Sequence, residues 1–472
     1  MPFERVQKLR HGPSFKQIIG YTETIPMKKV LAFIAALTVC ISGLIAQHHS
    51  VLNLNKPERE QWFTDLGLGL FIHWSFDVQL GMVISHSAVG ASQNYLDRYF
   101  KELPQTFDPS HFQPDKWARE AKMAGMKYLV FTAKHHSGFC MFDTETTDFN
   151  VLNTPFATDV TGEILDAFRK EGLAVGLYFS PDDFWFMYDK KREIGRRKPG
   201  AMPSENMDLM EYDKIQMKEL MTRYGTIDIV FIDGVDTTAN TALARVCWEL
   251  NEDVVVTRGA IQTPEQTIPD QPLPSPWEAC ITLGDQWQYR PTNENYKDAG
   301  DVILKIIEIR CKGGNLLLNI GPDAEGRFPP EQSGPLNELA LWNFINREAF
   351  ENVEPWYIVR EGDAWFLKKK DQNILYVFVT GEPIKFGGRK ELVLNSVKAT
   401  RDTKVSVVGH DNKTLEYSPD VNGETTFEQT AEGLELSVFR GQRIYNDRKW
   451  PNPIVVRLEN IVRSQVVPGN NQ

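Results

Sequence analysis

The sequence predicts an α/β protein: a (β/α)8 TIM-like barrel followed by a C-terminal antiparallel β-sandwich. Two observations predict it. From about residue 65 to 345, short apolar runs rich in Val, Ile and Phe alternate with stretches whose apolar residues recur at helical spacing. After about residue 355 the pattern changes to strict alternation without long helices. The length of 472 residues suits one large domain plus a smaller companion.

Residues 1–46 read as an address. No periodicity is sustained over 1–26, but at Met27 the pair Lys28-Lys29 opens an almost unbroken apolar run that lasts to Ala46. A basic start, an apolar core shorter than the roughly 20 residues of a transmembrane helix, and small residues before Gln47 are the marks of a secretory signal peptide. The expected start is therefore Met27, with cleavage after Ala46. The mature protein is expected in the periplasm or outside the cell, with no stable membrane insertion. A lipoprotein would use Cys40, but Val39 stands where a small residue is needed.

The barrel is expected over 47–355. Its strands are read at 69–74, 127–133, 174–179, 227–232, 253–257, 279–283 and 315–320, uninterrupted apolar runs of the kind buried on both faces. An eighth strand is expected between 77 and 100. The intervening helices are typified by 114–123, with Trp117, Ala118 and Ala121 on one face, and by 161–169, stopped at Gly172. A doubly wound sheet is the alternative, but no GxGxxG turn follows the first strand. The sandwich is expected over 356–472, with Ile374, Tyr376 and Phe378 on one face of a strand. Further alternations run through Val405 and Val407, then Leu434, Leu436 and Val438, then Ile454, Val456 and Leu458. Turns are expected at Gly387-Gly388 and Asn422-Gly423.

A formal net charge of −11 argues against a general nucleic-acid binder. Aromatic residues make up 11% of the chain, which suits stacking on sugar rings as well as core packing. Outside the leader, Cys140, Cys247, Cys280 and Cys311 have no zinc spacing and read as buried thiols, with one or two bridges open in an oxidising compartment.

In a barrel the chemistry lies at the C-terminal ends of the strands, so the polar residues closing each apolar run are the candidates. They are His73-Trp74, Lys134-His135-His136-Ser137, Tyr178-Phe179-Ser180, Asp233-Gly234 and Thr257-Arg258. Asp233 follows an apolar run and is costly to bury without a partner or a role, helix capping being the bland alternative. Glycoside hydrolysis needs a second carboxyl group, and Glu265 and Glu278 both follow Asp233. The residues alone do not choose between them. His73, His135 and His136 could converge on a metal, but adjacent histidines point to opposite sides if extended, and no His-x-His pair is present. They are read as hydrogen-bond partners of sugar hydroxyls, with no metal and no cofactor expected.

Six segments in order resemble the glycoside hydrolase family 29 α-L-fucosidases: Gly69-Leu70-Phe71-Ile72-His73-Trp74; Phe131-Thr132-Ala133-Lys134-His135-His136-Ser137-Gly138-Phe139; Gly176-Leu177-Tyr178-Phe179-Ser180; Phe231-Ile232-Asp233-Gly234; Trp277-Glu278-Ala279-Cys280; and Gly313-Gly314-Asn315-Leu316-Leu317-Leu318-Asn319-Ile320-Gly321-Pro322. The resemblance covers about residues 60–350 and implies an exo-acting, retaining α-L-fucosidase acting on fucosylated oligosaccharides or glycoconjugates. It implies Asp233 as nucleophile. His73, His135, His136 and Tyr178 would grip the fucose, with Arg258 nearby and Trp287 counted among the substrate-binding residues. The family leaves the acid/base poorly fixed. Glu265 is favoured, and Glu278 is then placed with the substrate-binding set. A non-catalytic fucose-binding protein and a metal-dependent barrel hydrolase are the alternatives. Three departures from the family pattern stand out: Ser75 where Gly is usual, Phe231-Ile232 for a Trp-Phe pair, and Val83-Ile84-Ser85-His86 where many members carry Glu-Trp. The last two bear on linkage and leaving-group preference.

Overall fold

The computed structural model describes residues 52–444 and 450–465, so the export segment expected over 1–46 lies outside them. Seven parallel strands form one sheet that curls into a half-barrel: β1 (Leu68–Ile72), β2 (Tyr128–Lys134), β3 (Ala174–Phe179), β4 (Ile229–Ile232), β5 (Val255–Val256), β6 (Glu278–Thr282) and β7 (Asn315–Ile320), in the order β5-β4-β3-β2-β1-β7-β6. Each coincides with an apolar run of the sequence. Helices Pro114–Met123 and Val160–Lys170 also fall where the periodicity puts them, the second capped by Asp159, whose side chain accepts from the Gly162 N–H.

The strands are apolar throughout because both faces are covered. Alternate side chains belong to two different cores. Phe71, Tyr128, Val130, Tyr178, Ile229, Phe231, Val255, Cys280 and Leu317 pack together inside the curl. Their neighbours, such as Leu70, Leu129, Leu177, Val230, Val256, Ile281 and Leu318, pack outward in the larger core with the helices. The inward face is filled tightly enough that Gly69 admits no side chain: a Cβ there would meet the Tyr128 ring at 2.3 Å.

The eighth strand expected between 77 and 100 is not there. That stretch forms short helical turns at Phe76–Leu80 and His86–Ala88 and a short helix at Gln93–Asp97. Its apolar residues are interrupted by Gln79, Gly81, Ser85, His86, Ser87 and Gly90, which leaves no run able to be buried on two faces. The edge strand β6 is instead met by residues 262–266. The Glu278 N–H donates to the Gln262 carbonyl (3.0 Å), the Cys280 N–H to that of Pro264 (3.0 Å), and the Gln266 N–H to that of Cys280 (2.9 Å).

The antiparallel part begins with β8 (Val353–Glu361) and continues through β9 (Ala364–Lys369), β10 (Ile374–Val379), β11 (Arg389–Leu394), β12 (Val397–Val407), β13 (Thr426–Gln429), β14 (Leu434–Phe439) and β15 (Ile454–Arg463). These make a five-stranded sheet, β12-β15-β10-β9-β8, and a three-stranded sheet, β11-β14-β13. One core takes Leu375, Val377, Val456 and Leu458 from the first and Leu434, Leu436 and Val438 from the second. The other face of β10, Ile374, Tyr376 and Phe378, packs into the large core beneath the parallel sheet. Cys140, Cys247, Cys280 and Cys311 are all free and buried.

Candidate active site

The inward face of the sheet leads to a cleft at the C-terminal ends of its strands. Following β1 two residues at a time, Gly69, Phe71 and His73 point the same way; following β4, Ile229, Phe231 and Asp233 do so. His73 and Asp233 thus enter the cleft by continuing the inner core past the strand ends. Two backbone hydrogen bonds fix the nucleophile candidate and its neighbour: Asp233 N–H to the Phe179 carbonyl (3.0 Å), and Ile232 N–H to the Arg258 carbonyl (3.1 Å).

The cleft is lined by His73, His135, His136, Tyr178, Asp233, Arg258, Glu265 and Trp287, eight of the nine residues singled out from sequence. The Tyr178 hydroxyl donates to Asp233 Oδ2 at 2.8 Å, and Arg258 Nη1 donates to Oδ1 at 3.0 Å. Arg196 Nη2 stands 3.8 Å from the same Oδ1. Burial alone would push the Asp233 carboxyl up, but Arg258, Arg196 and the Tyr178 hydroxyl outweigh it and hold the group below its usual range. Asp233 is therefore an ionised carboxylate in a nearly closed site, its side chain 19% exposed. Arg258 also reaches Glu265, whose Oε2 accepts from Nη2 at 2.9 Å, so one guanidinium joins the two carboxyl groups. Glu265 sits in a Pro-rich loop, yet the pairing of residues 262–266 with β6 gives that loop a fixed backbone.

Glu278 is the exception. It faces inward two residues before Cys280, one layer deeper than the cleft, where its Oε2 accepts from the Tyr128 hydroxyl at 2.5 Å. Burial pushes its carboxyl up to about 7. No part of it lines the cleft, because the start of β6 lies at the closed end of the curl.

Each of the three histidines is held at Nδ1: His73 by Asn319 Oδ1 (2.6 Å), His135 by the Ser85 hydroxyl (2.8 Å) and His136 by the Ser180 hydroxyl (2.6 Å). The Asn319 amide donates from Nδ2 to the Trp287 carbonyl (2.7 Å), which fixes its orientation. His73 Nδ1 is then the donor, and Nε2 is left as an acceptor. Burial drives all three rings toward the neutral form, His73 down to about 3. His135 and His136 do not point to opposite sides as an extended chain would have them. They follow the end of β2 in a turn closed by the Gly138 N–H to the His135 carbonyl (2.9 Å), and their ring centroids lie 4.2 Å apart. Gly138, at φ 82°, lets that turn close against Asp183; a Cβ would stand 2.1 Å from Asp183 Oδ1. Beneath the turn, fully buried Lys134 donates to Asp183 (3.2 Å), Asp213 (2.8 Å) and Gln216 (2.8 Å).

His86 and Arg196 also line the cleft and were not among the sequence candidates. Both lie in irregular segments away from strand ends. The Arg196 guanidinium is anchored by Asp182 Oδ2 at 2.5 Å. Among the described residues no group of three or more His, Cys, Asp or Glu side chains is arranged to hold a metal ion.

A curled parallel sheet whose mouth holds an ionised carboxylate, a second carboxyl group on the same arginine, and a ring of neutral histidines and aromatics defines the class of two-carboxylate glycoside hydrolases. Residues 46–348 match the family model described as alpha-L-fucosidase, and the chain belongs to that family. An alpha-L-fucosidase of Dictyostelium discoideum is 24% identical over 429 residues, covering 82% of this chain and 90% of the relative. Alpha-L-fucosidase isoenzyme 1 from Paenibacillus thiaminolyticus superposes with a TM-score of 0.68 at 27% identity, covering 85% of this chain and 98% of that one. A family 29 alpha-L-fucosidase of Bacteroides thetaiotaomicron, solved as a trapped covalent intermediate with 2-fluoro-fucosyl fluoride in a Glu-to-Gln mutant, is 24% identical with a TM-score of 0.67, covering 89% of this chain and 100% of that one.

Proposed function

We propose that the protein is an exo-acting, retaining α-L-fucosidase in which Asp233 is the nucleophile and Glu265 the acid/base. The observation that carries this is the guanidinium of Arg258, bonded at once to Asp233 (3.0 Å) and Glu265 (2.9 Å), because retention needs two carboxyl groups roughly 5–5.5 Å apart on either side of the scissile bond. In the first step an Asp233 oxygen bonds to the anomeric carbon of fucose while the bond to the leaving oxygen breaks and Glu265 gives that oxygen its proton. In the second, Glu265 takes a proton from water, the water oxygen bonds to the anomeric carbon, and Asp233 departs as a carboxylate. Both steps run without a metal. The exposed carboxyl of Glu265 can exchange protons with solvent, and the aglycone leaves on that open side. His73, His135, His136 and Trp287 surround the sugar.

The curled sheet is read as a (β/α)8-type barrel over 47–355, with residues 262–266 lying in the gap between β5 and β6, and the two antiparallel sheets as a sandwich over 356–472. The substrate is a fucosylated oligosaccharide or glycoconjugate. The leader motif from Met27 to Ala46 supports export to the periplasm or beyond.

Proton NMR of an aryl α-L-fucoside during hydrolysis tests the reaction. The fucose formed first is the α-anomer, which then mutarotates; β-fucose appearing first would overturn the assignment.

A further inference from the structure

Ser85, directly before the cleft-lining His86, has an unusual backbone. It sits at φ 61°, ψ −34°, and the His86 N–H reaches back to the Ile84 carbonyl at 2.6 Å, which makes a γ-turn of the rare positive-φ kind. A side chain in that conformation persists only where its surroundings hold it, and such residues gather at functional sites. Here the holder is Asp77, fully buried. Its Oδ2 accepts from the Ser85 N–H (3.0 Å) and the Tyr99 hydroxyl (2.8 Å), and its Oδ1 from Gln288 (3.1 Å), the residue after Trp287.

The turn delivers the Ser85 hydroxyl to His135. Ser85 is itself fully buried, and its Oγ accepts from the Ser137 N–H at 3.0 Å and lies 2.8 Å from His135 Nδ1. A buried hydroxyl needs a place for its proton, and among the described residues Nδ1 is the acceptor it has. His135 then carries its own proton on Nε2. The neighbouring His73, 5.6 Å away between ring centroids, is held by Asn319 in the opposite state, with Nε2 bare.

Resting on the fucosidase reading of this cleft, we propose that Ser85 is a positioning residue for the reaction: it fixes His135 as a hydrogen-bond donor at Nε2, so that His135 and His73 present one donor and one acceptor to the hydroxyls of the sugar.

The test uses the full-length enzyme with 15N-labelled histidine, the His135 signals being assigned by their loss in His135→Gln. In the wild type at neutral pH, where burial and the facing His136, His73 and His86 outweigh Asp233 and keep the ring neutral, His135 shows the shifts of an Nε2–H imidazole. In Ser85→Ala these move toward the Nδ1–H form or an average of the two. Unchanged shifts in Ser85→Ala, or an Nδ1–H wild type, overturn the proposal. Kinetically, Ser85→Ala and Ser85→Gly each lower kcat/KM by about tenfold, and neither lowers it further when added to His135→Gln. Losses that multiply in the double variants would also overturn it. Ser85→Gly and Ser85→Ala remove the same hydroxyl, but glycine relieves the positive-φ turn, so Ser85→Gly melts higher than Ser85→Ala at the same loss of kcat/KM, which separates loss of positioning from loss of fold. A wild type inactive on every fucoside would end the fucosidase reading and leave the NMR result standing by itself.

Discussion

Tyr178→Phe deletes one oxygen from the site and leaves the rest in place. The Tyr178 ring stacks on His135 at 5.2 Å with 6° between planes, and phenylalanine preserves that stack. What is lost is the 2.8 Å hydrogen bond to Asp233 Oδ2. A hydrogen bond to a charged group is worth about 1.5–3 kcal/mol. Both partners are largely shielded from solvent, so that range needs little discount for screening. The sign follows from linkage. Asp233 is held below its unfolded value, so its interactions stabilise the folded state fully above the unfolded carboxylate range and stop doing so as pH falls through the folded value. The variant should therefore be less stable by about 1.5–3 kcal/mol at pH 7, and the deficit should shrink toward the acid end of the range. The acid limb of kcat/KM, which under the proposed mechanism reports ionisation of Asp233 in the free enzyme, should move to higher pH. Urea midpoints at several pH values and a pH–rate profile with an aryl fucoside measure both. An acid limb that stays in place, with a stability loss that does not change with pH, would refute the claim that Tyr178 supports the ionised nucleophile.

Three other outcomes are expected. Glu278→Gln should fold and hydrolyse aryl fucosides, because the carboxyl lies below the cleft. Its folded value is raised to about 7, so the wild type loses stability as pH climbs from the unfolded carboxylate range to about 7 and the amide does not; urea midpoints should diverge in favour of Gln across that window. Lys134→Met should cost about 3–5 kcal/mol by leaving Asp183 and Asp213 without their buried cation, read as a collapse of the urea midpoint or of soluble yield. Prolonged chelation should leave wild-type activity unchanged, whereas activity lost to a chelator and restored by zinc would favour a metal-dependent hydrolase.

The strands were legible because a strand buried on both faces has to be apolar at every position, and such runs stand out from the amphipathic helices between them. The eighth strand failed for the same physical reason in reverse: residues 77–100 carry too many small and polar groups to be buried twice, and of them His86 lines the cleft. Strand ends delivered His73, Tyr178, Asp233 and Arg258, which line the cleft, whereas Lys134 at the end of β2 turns into the core beneath it. Glu265 and Glu278 could not be separated in this way. One loop acid is pinned at the mouth by backbone pairing with β6, the other faces the closed end, and that pairing has no sequence signal. His86 and Arg196 lie outside the strand ends, on segments tied down by side-chain contacts that no apolar periodicity reveals, Asp77 with Ser85 in one case and Asp182 with Arg196 in the other. The opposed orientation of the adjacent pair His135-His136 holds only for an extended chain, and the pair stands in a turn after β2, which Gly138 hinted at.

In the proposed reaction Asp233 bonds to the sugar and Glu265 governs proton transfer. This is tested most directly by reacting the enzyme with 2-fluoro-fucosyl fluoride, whose fluorine slows breakdown of the intermediate, and locating the label by peptide mass spectrometry in the wild type and in Glu265→Ala. A fluorofucosyl ester is expected on Asp233 in both, with azide speeding its release from Glu265→Ala as the α-configured 2-fluorofucosyl azide. A label on any other carboxylate, or azide rescue confined to Glu278→Ala, would contradict it.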